Sequence, residues 1–239
     1  MLFHNPVYLL IFLPLVFCIY FIIPKTKIDT RLYVLIISGV IFYSYWNYKF
    51  APLIIFSILI NYLLSEKISK SSDFLYKKRI LIFSITFNIL YLCFFKYSDF
   101  VISNINFFFD TEIPLLNLPF PLALSFVTFQ TIAFLVDVFD ENIQKNNLKR
   151  YSLFIIFFPQ LIAGPIVRFN EMISQFEDIK NSKIQFKNIC LGLIVICIGL
   201  AKKILIADNL SIIVDNGFSS EKEIGFFGSW LVTFSFAFQ

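Results

Sequence analysis

The stretch FFPQLIAGPIVR, residues 157–168, decides how the chain folds, because two prolines and a glycine interrupt one of its most apolar regions. Pro159 and Pro165 lack the backbone N–H that a helix uses for hydrogen bonding, and Gly164 loosens the helix between them. Non-helical backbone is tolerated at membrane depth only where protein or a water-filled cavity satisfies its polar groups. The stretch therefore predicts a loop that lines a cavity inside a membrane protein.

The composition of the whole chain indicates a lipid environment. The 239 residues are 58% hydrophobic and 15% charged, whereas soluble domains carry about 25% charged residues. The net charge of +4 comes from lysines and arginines spread between apolar runs. They do not form one basic face with stacking aromatic rings, so no nucleic-acid partner is predicted. We expect an all-α polytopic membrane protein that contacts the lipid bilayer, with residues 1–239 in a single domain.

Seven apolar segments predict membrane-spanning helices, since a span needs about 20 mostly apolar residues. The second and third segments are expected to form a tight helical hairpin hinged at Asn47, Lys49 and Pro52. The stretch NINFFFD, residues 104–110, is too short to cross a bilayer and is expected at its interface. The predicted spans are 5–24, 32–48, 50–65, 80–98, 121–139, 186–206 and a seventh that begins at Ile224.

The positions of lysine and arginine predict the orientation, because these residues favour cytoplasmic loops. With the N-terminus outside, most basic residues between the first five spans lie inside. If residues 151–167 crossed the bilayer, four basic residues would lie outside, against this bias: Arg168, Lys180, Lys183 and Lys187. A re-entrant segment that returns to the same face keeps them inside. The alternative, a proline-kinked spanning helix, stays open because the bias is not a strict rule.

Polar side chains at membrane depth are functional candidates because they are costly there. Gln160 lies between the prolines, where its amide can meet an unpaired carbonyl or a ligand. Arg168 can hold a phosphate or carboxylate with its planar guanidinium, or extend to lipid headgroups as an interfacial arginine. Gln130, with Thr128, is expected to form a helix–helix hydrogen bond rather than a ligand site.

Lys202 and Lys203 lie towards the outer end of the sixth span. They either take part in a structural ion pair with Asp208 or line an outer vestibule that attracts an anionic acceptor, and the sequence favours neither. The four cysteines lie in apolar runs and are expected to be buried. They have no CxxC spacing and no histidine nearby, so no metal site is predicted.

Four ordered stretches resemble the bacterial membrane-bound O-acyltransferases, the family of the alginate and peptidoglycan O-acetylation proteins and of the D-alanyl-lipoteichoic acid transferase. They are FHNPVYLLIFLP at 3–14, PLALSFVTFQTIAFLVDVF at 121–139, FFPQLIAGPIVRF at 157–169 and GLAKKILIADNL at 199–210. By this resemblance the substrate-lining or channel-lining residues are Gln160, Gly164, Pro165 and Arg168 in the third stretch, and Lys202, Lys203 and Asp208 in the fourth. Asn209 matches the same family motif.

The resemblance implies an enzyme of the bacterial inner membrane with a site in a cavity reached from both faces. Such an enzyme takes an acyl group from a cytosolic donor, either acetyl-CoA or an acyl carrier, and holds no bound cofactor. It passes the group to hydroxyls of an extracytoplasmic cell-wall or exported polysaccharide. The resemblance also implies a periplasmic acetyltransferase as a partner.

One departure from the family pattern concerns catalysis. The family's catalytic histidine, the expected general base for the acceptor hydroxyl, has no counterpart here, and His4, the only histidine, matches the N-terminal stretch instead. No catalytic residue is therefore assigned. The run WLVTFSFAFQ, residues 230–239, ends without a flanking charge, so we expect the N-terminal part of one acyltransferase domain, truncated inside a helix. A non-catalytic transport component that moves a lipid-linked glycan or an acyl group is the alternative.

Overall fold

The computed structural model describes residues 5–24, 26–143, 146–162, 164–165, 167–178, 181, 183–219 and 225–239. Within these ranges every regular element is a helix, as the sequence predicts. The chain divides into two units, Met1–Lys183 and Ile184–Gln239, which are described separately. His4 and Lys180, as well as the predicted start of the seventh span at Ile224, lie outside the described residues.

The first unit contains eight α-helices in its described part. A π-helical turn, Tyr8–Phe12, leads directly into α1. The helices are α1 (Leu13–Ile22), α2 (Ile28–Asn47), α3 (Ala51–Lys70), α4 (Phe74–Phe109), α5 (Leu124–Phe139), α6 (Leu148–Ile156), α7 (Phe158–Leu161) and α8 (Phe169–Glu177).

The predicted hinge between the second and third spans is confirmed. Asn47 leaves the helical conformation with φ −160° and ψ 108°, and its side-chain carbonyl accepts a hydrogen bond from the Lys49 backbone N–H at 3.0 Å. Pro52 falls in the first turn of α3, where a helix loses no hydrogen bond to proline. Helices α2 and α3 are therefore separated by one short turn, Tyr48–Phe50.

Helix α4 is longer than the predicted span of 80–98. It covers 36 residues, or about 54 Å at 1.5 Å per residue, against about 30 Å for a hydrocarbon core. The side chain of Asp73 caps its start by accepting a hydrogen bond from the Leu75 N–H at 3.0 Å. The stretch 104–110 does not form a separate segment, because residues up to Phe109 continue this helix.

Helix α5 begins close to the predicted position. Its first residue is Leu124, three positions after Pro121, and it ends at Phe139 as expected. Ala123 precedes it in a left-handed conformation with φ 60°.

Three described helical stretches are long and apolar enough to cross a membrane, namely Ile28–Lys70, Phe74–Phe109 and Phe186–Ser219. Three shorter apolar helices accompany them, Tyr8–Ile22, Leu124–Phe139 and Phe226–Phe238. The first of these stretches turns at Asn47 and therefore contains two helices, α2 and α3. With this division, each of the seven predicted spans corresponds to a helix. The protein is an all-α polytopic membrane protein.

Polar contacts gather several helix ends of the first unit at one place, which we call the polar end. Lys149, in the first turn of α6, forms an ion pair with Asp29 at the start of α2. Three residues earlier, Asn146 donates a hydrogen bond to the Ser65 hydroxyl near the end of α3, at 2.9 Å. The start of α2 and the end of α3 are therefore neighbours, so the two helices run antiparallel as a hairpin.

A third contact extends the polar end to the next two helices. The Lys77 ammonium, in the first turn of α4, lies 2.6 Å from the carboxylate of Glu141, which follows the end of α5. The predicted inner loops after α1, α3 and α5 thus meet at the polar end.

The apolar core of the first unit lies among helices α1 to α8. Its fully buried side chains include Phe42, Phe134, Tyr151 and Phe154. By contrast, α4 and α1 carry many large apolar side chains on their surface. In a membrane protein such faces contact lipid, so exposed apolar area does not indicate instability.

The second unit contains one long helical stretch and one short helix in its described part. The stretch comprises α9 (Phe186–Ala201), a π-helical segment (Lys202–Ala207) and α10 (Asp208–Ser219), and α11 follows at Phe226–Phe238. Gly217 of α10 contacts Val232 of α11, and a Cβ added at this glycine would lie 2.3 Å from a Val232 methyl carbon. Close helix approach therefore holds α10 against α11 within this unit.

Candidate functional site

The segment 148–177 does not form a spanning helix. Helices α6 and α8 have nine residues each, with the four-residue α7 between them. Nine residues reach about 14 Å, half of a hydrocarbon core. Phe157 breaks the helix between α6 and α7 with ψ 105°. The predicted interruption by proline and glycine is confirmed, since Gly164 and Pro165 lie in non-helical backbone.

The same segment returns to the end from which it starts. The Arg150 guanidinium, in the first turn of α6, lies 2.5 Å from the Glu177 carboxylate at the last residue of α8. At the start of α8, the Asn170 amide donates to the backbone carbonyl of Asn142 at 2.7 Å. Both ends of α8 therefore lie at the polar end. This is the re-entrant course that the sequence predicts, and a kinked spanning helix would place Glu177 far from Arg150.

Helix α8 lies across the polar end as an amphipathic helix. Phe169, Met172 and Ile173 are buried, whereas Asn170 and Glu171 are exposed. The buried positions follow the i, i+3, i+4 spacing of one helix face. Such a helix suits a membrane interface, with one face on the protein core and the other towards water.

The deepest part of the segment is held by aromatic packing. The Phe158 ring of α7 contacts the rings of Phe12 and Phe42 with centroid distances of 5.1 and 5.9 Å. Phe42 lies about 20 Å along α2 from its start at the polar end, at 1.5 Å per residue. The segment therefore enters well into the unit before it turns back.

A glycine allows the segment to approach α2 closely. A Cβ added to Gly39 would lie 2.1 Å from the backbone carbonyl oxygen of Ile156, the last residue of α6. A real Cβ atom does not come this close to a carbonyl oxygen. Gly39 therefore fixes how near the end of α6 comes to α2.

Two glutamine amides meet at one carbonyl near the end of α6. The Gln130 amide of α5 donates to the Phe154 carbonyl at 2.9 Å, and the Gln160 amide of α7 reaches the same oxygen at 3.4 Å. Carbonyls in the last turn of a helix lack intrahelical partners, so these amides satisfy backbone exposed by the break. Of the two roles predicted for Gln160, the structure shows the contact with a carbonyl. The predicted helix–helix hydrogen bond is confirmed for Gln130, whereas Thr128 donates to the Leu124 carbonyl of its own helix at 2.8 Å.

Gln130 also carries an unusual unpaired atom. Its side chain is 1% exposed, and its Oε1 has no hydrogen-bond partner among the described residues. Its Nε2 donates a hydrogen bond to the Phe154 carbonyl. This bond fixes the orientation of the amide.

Arg168, Gly164 and Pro165 lie on the returning part of the segment, and all three are exposed. Arg168 occupies the N-cap position of α8, and its guanidinium forms no hydrogen bond or ion pair with another described residue. It lies two residues before Asn170, whose amide bonds Asn142 at the polar end. Arg168 therefore lies near the polar end, where the re-entrant segment leaves the unit, and we call this place its mouth. Gln160 lies deeper in the unit.

A cavity also opens at the polar end, beside the ion pair that closes the segment. It has a volume of about 710 Å³ and is lined by residues 26–30 together with Arg150 and Glu177. None of the described residues of the stretch 157–168 belongs to this lining. The start of α2 and the Arg150–Glu177 ion pair form its wall. Phe158 and Gln160 of α7 instead pack against Phe12 and bond the Phe154 carbonyl.

Two of the candidate residues in the second unit, Lys203 and Asp208, form an ion pair. The Lys203 ammonium lies 2.7 Å from the Asp208 carboxylate, across the π-helical segment. Lys202 is exposed and pairs with no other described residue. Of the two roles predicted for these lysines, the structure shows the ion pair for Lys203. Asn209 donates a hydrogen bond to the Leu205 carbonyl at 2.9 Å within the same helix.

Sequence reasoning missed a pair of buried asparagines. The Asn61 and Asn88 side chains exchange two hydrogen bonds, at 3.1 and 2.6 Å, between α3 and α4. Both are fully buried. Isolated asparagines in two apolar segments were the available signal, because such residues often bond across membrane helices.

The cysteine prediction is wrong for three residues. Cys18, Cys190 and Cys197 are exposed, and Cys93 is intermediate. They lie on helix faces that carry exposed apolar side chains, and an apolar run in a membrane helix does not distinguish such a face from the core. Among the described residues, no three histidine, cysteine or acidic side chains form a group able to hold a metal ion.

Comparison with known proteins supports the predicted resemblance. Residues 135–238, which include the re-entrant segment, match the model of the membrane-bound O-acyltransferase family. The chain is 37% identical over its whole length to the peptidoglycan O-acetyltransferase of Helicobacter pylori. It is 28% and 27% identical, over 92% of its length, to the probable alginate O-acetylases AlgI of Pseudomonas aeruginosa and Pseudomonas putida.

These relatives are longer than the present sequence. The chain spans 50% of the Helicobacter protein and 42% and 45% of the two Pseudomonas proteins. It therefore covers about half the length of the curated relatives it matches. No solved structure matches the chain.

Proposed function

The chain is related to the membrane-bound O-acyltransferase family, and on this premise we propose that it forms part of an enzyme that transfers acetyl groups to polysaccharide hydroxyls. The acceptor is a cell-wall or exported polysaccharide outside the cytoplasm. The names of the relatives support acetyl transfer, since one is a peptidoglycan O-acetyltransferase and the others are probable alginate O-acetylases.

The observation that carries the proposal is the re-entrant segment with an unpaired arginine at its mouth. The ion pair between Arg150 and Glu177 brings its two ends together, and Arg168 presents its guanidinium without a partner among the described residues. A guanidinium binds phosphate and carboxylate groups through two parallel hydrogen bonds. We assign Arg168 to the anionic part of the acyl donor, which is acetyl-CoA or an acyl carrier.

The orientation follows from the basic residues at the polar end. Lys67, Lys77, Lys78 and Arg79 lie around the turn between α3 and α4, and Lys149 and Arg150 lie at the start of α6. Positive residues favour the cytoplasmic side. We therefore place the polar end in the cytoplasm of a bacterium, in the inner membrane, with the N-terminus outside. The acyl donor then approaches Arg168 from the side on which it is made.

The second unit supplies the features that we assign to the acceptor side. Lys202 is exposed beside the Lys203–Asp208 pair, in a segment that resembles the later motif of the family. A basic side chain there attracts an anionic polysaccharide, and a periplasmic acetyltransferase is the proposed partner that works on the same polymer. We propose that another part of the enzyme supplies the general base, because His4, the only histidine in the sequence, matches the N-terminal stretch of the family and not its catalytic part.

The experiment that tests this proposal measures acetyl groups released by mild alkali from the cell envelope. Cells carry the intact gene, either unchanged or with Arg168→Ala, Arg168→Lys or Lys183→Ala. Lys183 is an exposed cation at the end of the same unit, so its replacement controls for loss of charge. We expect Arg168→Ala to abolish most acetylation, Arg168→Lys to restore only part of it, and Lys183→Ala to have no effect. Undiminished acetylation with Arg168→Ala at equal protein levels would remove Arg168 from the site.

A further inference from the structure

The turn between α3 and α4 carries a concentrated positive charge beside exposed apolar side chains. Five basic and two acidic residues occur between positions 66 and 79. Phe74, Leu75 and Tyr76, the first residues of α4, are 63%, 63% and 50% exposed. Aromatic and apolar side chains next to lysine and arginine are typical of a surface at the boundary of the lipid headgroups.

A cavity lies at this turn. It has a volume of about 360 Å³ and is lined by Glu66, Lys67, Lys70, Ser71 and Tyr76. Arg79 lies three residues after Tyr76, and side chains three apart share one face of a helix. Arg79 is not one of the lining residues, but this spacing puts it on the helix face of Tyr76, next to the cavity.

The basic residues at this cavity differ in how far they are already neutralised. Lys70 is paired with Glu66 at 2.7 Å, and Lys77, on the neighbouring face, is paired with Glu141 at 2.6 Å. Lys67 and Arg79 are exposed and pair with no other described residue. Two cations are thus available to a ligand on the side where Tyr76 and Ser71 offer hydroxyl groups.

We propose that this cavity binds the phosphodiester headgroup of an anionic membrane lipid. Lys67 and Arg79 hold the phosphate, and the exposed Phe74 and Leu75 side chains, in the first turn of α4, lie beside it at the boundary of the headgroup layer. Clusters of four to eight lysines and arginines next to a membrane helix are a known pattern for anionic lipid recognition. This surface is separate from the re-entrant segment, and the proposal does not depend on the reaction that the protein catalyses.

The bound lipid gives the turn a structural role. Helix α4 extends beyond the thickness of a hydrocarbon core, and the Lys77–Glu141 contact ties its start to the end of α5. A headgroup held between Lys67 and Arg79 bridges the end of α3 and the start of α4. It therefore fixes both helices against the headgroup layer.

The test compares lipid binding by the intact protein and by two variants with the same loss of charge. The first variant is Lys67→Gln with Arg79→Gln. The matched control is Lys27→Gln with Lys183→Gln, which removes two exposed cations of the same unit that lie away from this cavity. Each protein is placed in nanodiscs of phosphatidylcholine with or without phosphatidylglycerol, and retained phosphatidylglycerol is counted by native mass spectrometry. Helix content by circular dichroism in phosphatidylcholine checks that each variant is folded.

We expect the unchanged protein and the control to retain phosphatidylglycerol, and the Lys67/Arg79 variant to bind it about thirtyfold more weakly. Equal retention by the folded Lys67/Arg79 variant and the control would overturn the proposal. A parallel titration with glycerol phosphate separates the two possible sources of phosphate. If the soluble headgroup competes with phosphatidylglycerol at equal concentration, the cavity binds a free phosphate ester, and the assignment to a lipid is wrong.

Discussion

The Arg150 guanidinium lies 2.5 Å from the Glu177 carboxylate, although the two residues are 27 positions apart in the sequence. The pair joins the first turn of α6 to the last residue of α8, so it closes the re-entrant segment at the polar end. Both side chains are partly exposed, at 23% and 37%. An ion pair of this kind contributes about 1 kcal/mol or less, but its position determines where the segment returns.

Reversing this pair gives the first prediction. Arg150→Glu places two carboxylates together, and we expect the midpoint of thermal unfolding to fall by about 2–4 °C, as for a loss of about 1 kcal/mol in a chain of this size. The double variant Arg150→Glu, Glu177→Arg restores the attraction and should recover most of this loss. The single variant Glu177→Arg completes the comparison. If the fall in the unfolding midpoint of the double variant equalled the sum of the falls in the two single variants, the two side chains would not interact.

Gly39 provides the second prediction. In Gly39→Ala the new methyl group would overlap the Ile156 carbonyl oxygen, so α6 must move away from α2. We expect a loss of about 1–3 kcal/mol, the usual cost of overpacking. Gly199→Ala is the control, because this helical glycine has no atom within 4 Å of the added Cβ. The control should keep or slightly raise stability in a thermal unfolding assay, and equal stability of both variants would show that α6 does not approach Gly39 so closely.

The asparagine pair gives a third prediction through a double-mutant cycle. Asn61→Leu removes two hydrogen bonds from the Asn88 side chain and leaves it buried. The expected cost is about 0.6–1.7 kcal/mol, the range found for such bonds between membrane helices. Adding Asn88→Leu should cost little more, because both polar groups are then gone. Strictly additive losses in chemical unfolding would show that the two amides are independent.

The contact between Lys77 and Glu141 predicts a pH dependence at the polar end. The hydrogen bond and positive charge of the Lys77 ammonium lower the pKa of the Glu141 carboxyl below its ordinary value of about 4.5. The contribution of the pair is therefore present above the ordinary pKa and is lost as the pH falls through the lowered one. We expect the unfolding midpoint of the unchanged protein to fall more steeply than that of Glu141→Gln below about pH 4.5. Parallel curves for the two proteins would contradict this assignment.

The main course of the chain was readable from the sequence because local signals agree with one another. Asn47 and Pro52 mark the turn between α2 and α3, and the prolines of 157–168 mark the break after α6. The charges then select the direction of return, since a bias towards one face can be counted along the chain. The length of α4 was not predicted, because the charges of Lys77 and Lys78 are typical of a loop and the first turns of the helix were therefore assigned to one. Asp73, a capping residue, was the available signal for the true start of the helix.

The contacts within the site required the structure. Nothing local indicates that Gln130 and Gln160 share the Phe154 carbonyl, because the partners come from three different helices. The close approach at Gly39 depends equally on the packing of α6. The functional assignment of Arg168 came from its resemblance to a family motif, whereas physical reasoning alone favoured an interfacial arginine that extends to lipid headgroups. Its unpaired position at the mouth of the segment is the structural addition.

The central claim is that residues 148–177 enter and leave at the same face of the membrane. Single cysteines at Ser72, Lys183 and Lys49, in a background with the four native cysteines replaced, measure this directly with a membrane-impermeant thiol reagent on sealed vesicles. Ser72 lies at the polar end, and Lys49 lies at the opposite turn of the hairpin. We predict that Ser72→Cys and Lys183→Cys are labelled from the same side and Lys49→Cys from the other. Labelling of Lys183→Cys together with Lys49→Cys would contradict the re-entrant course.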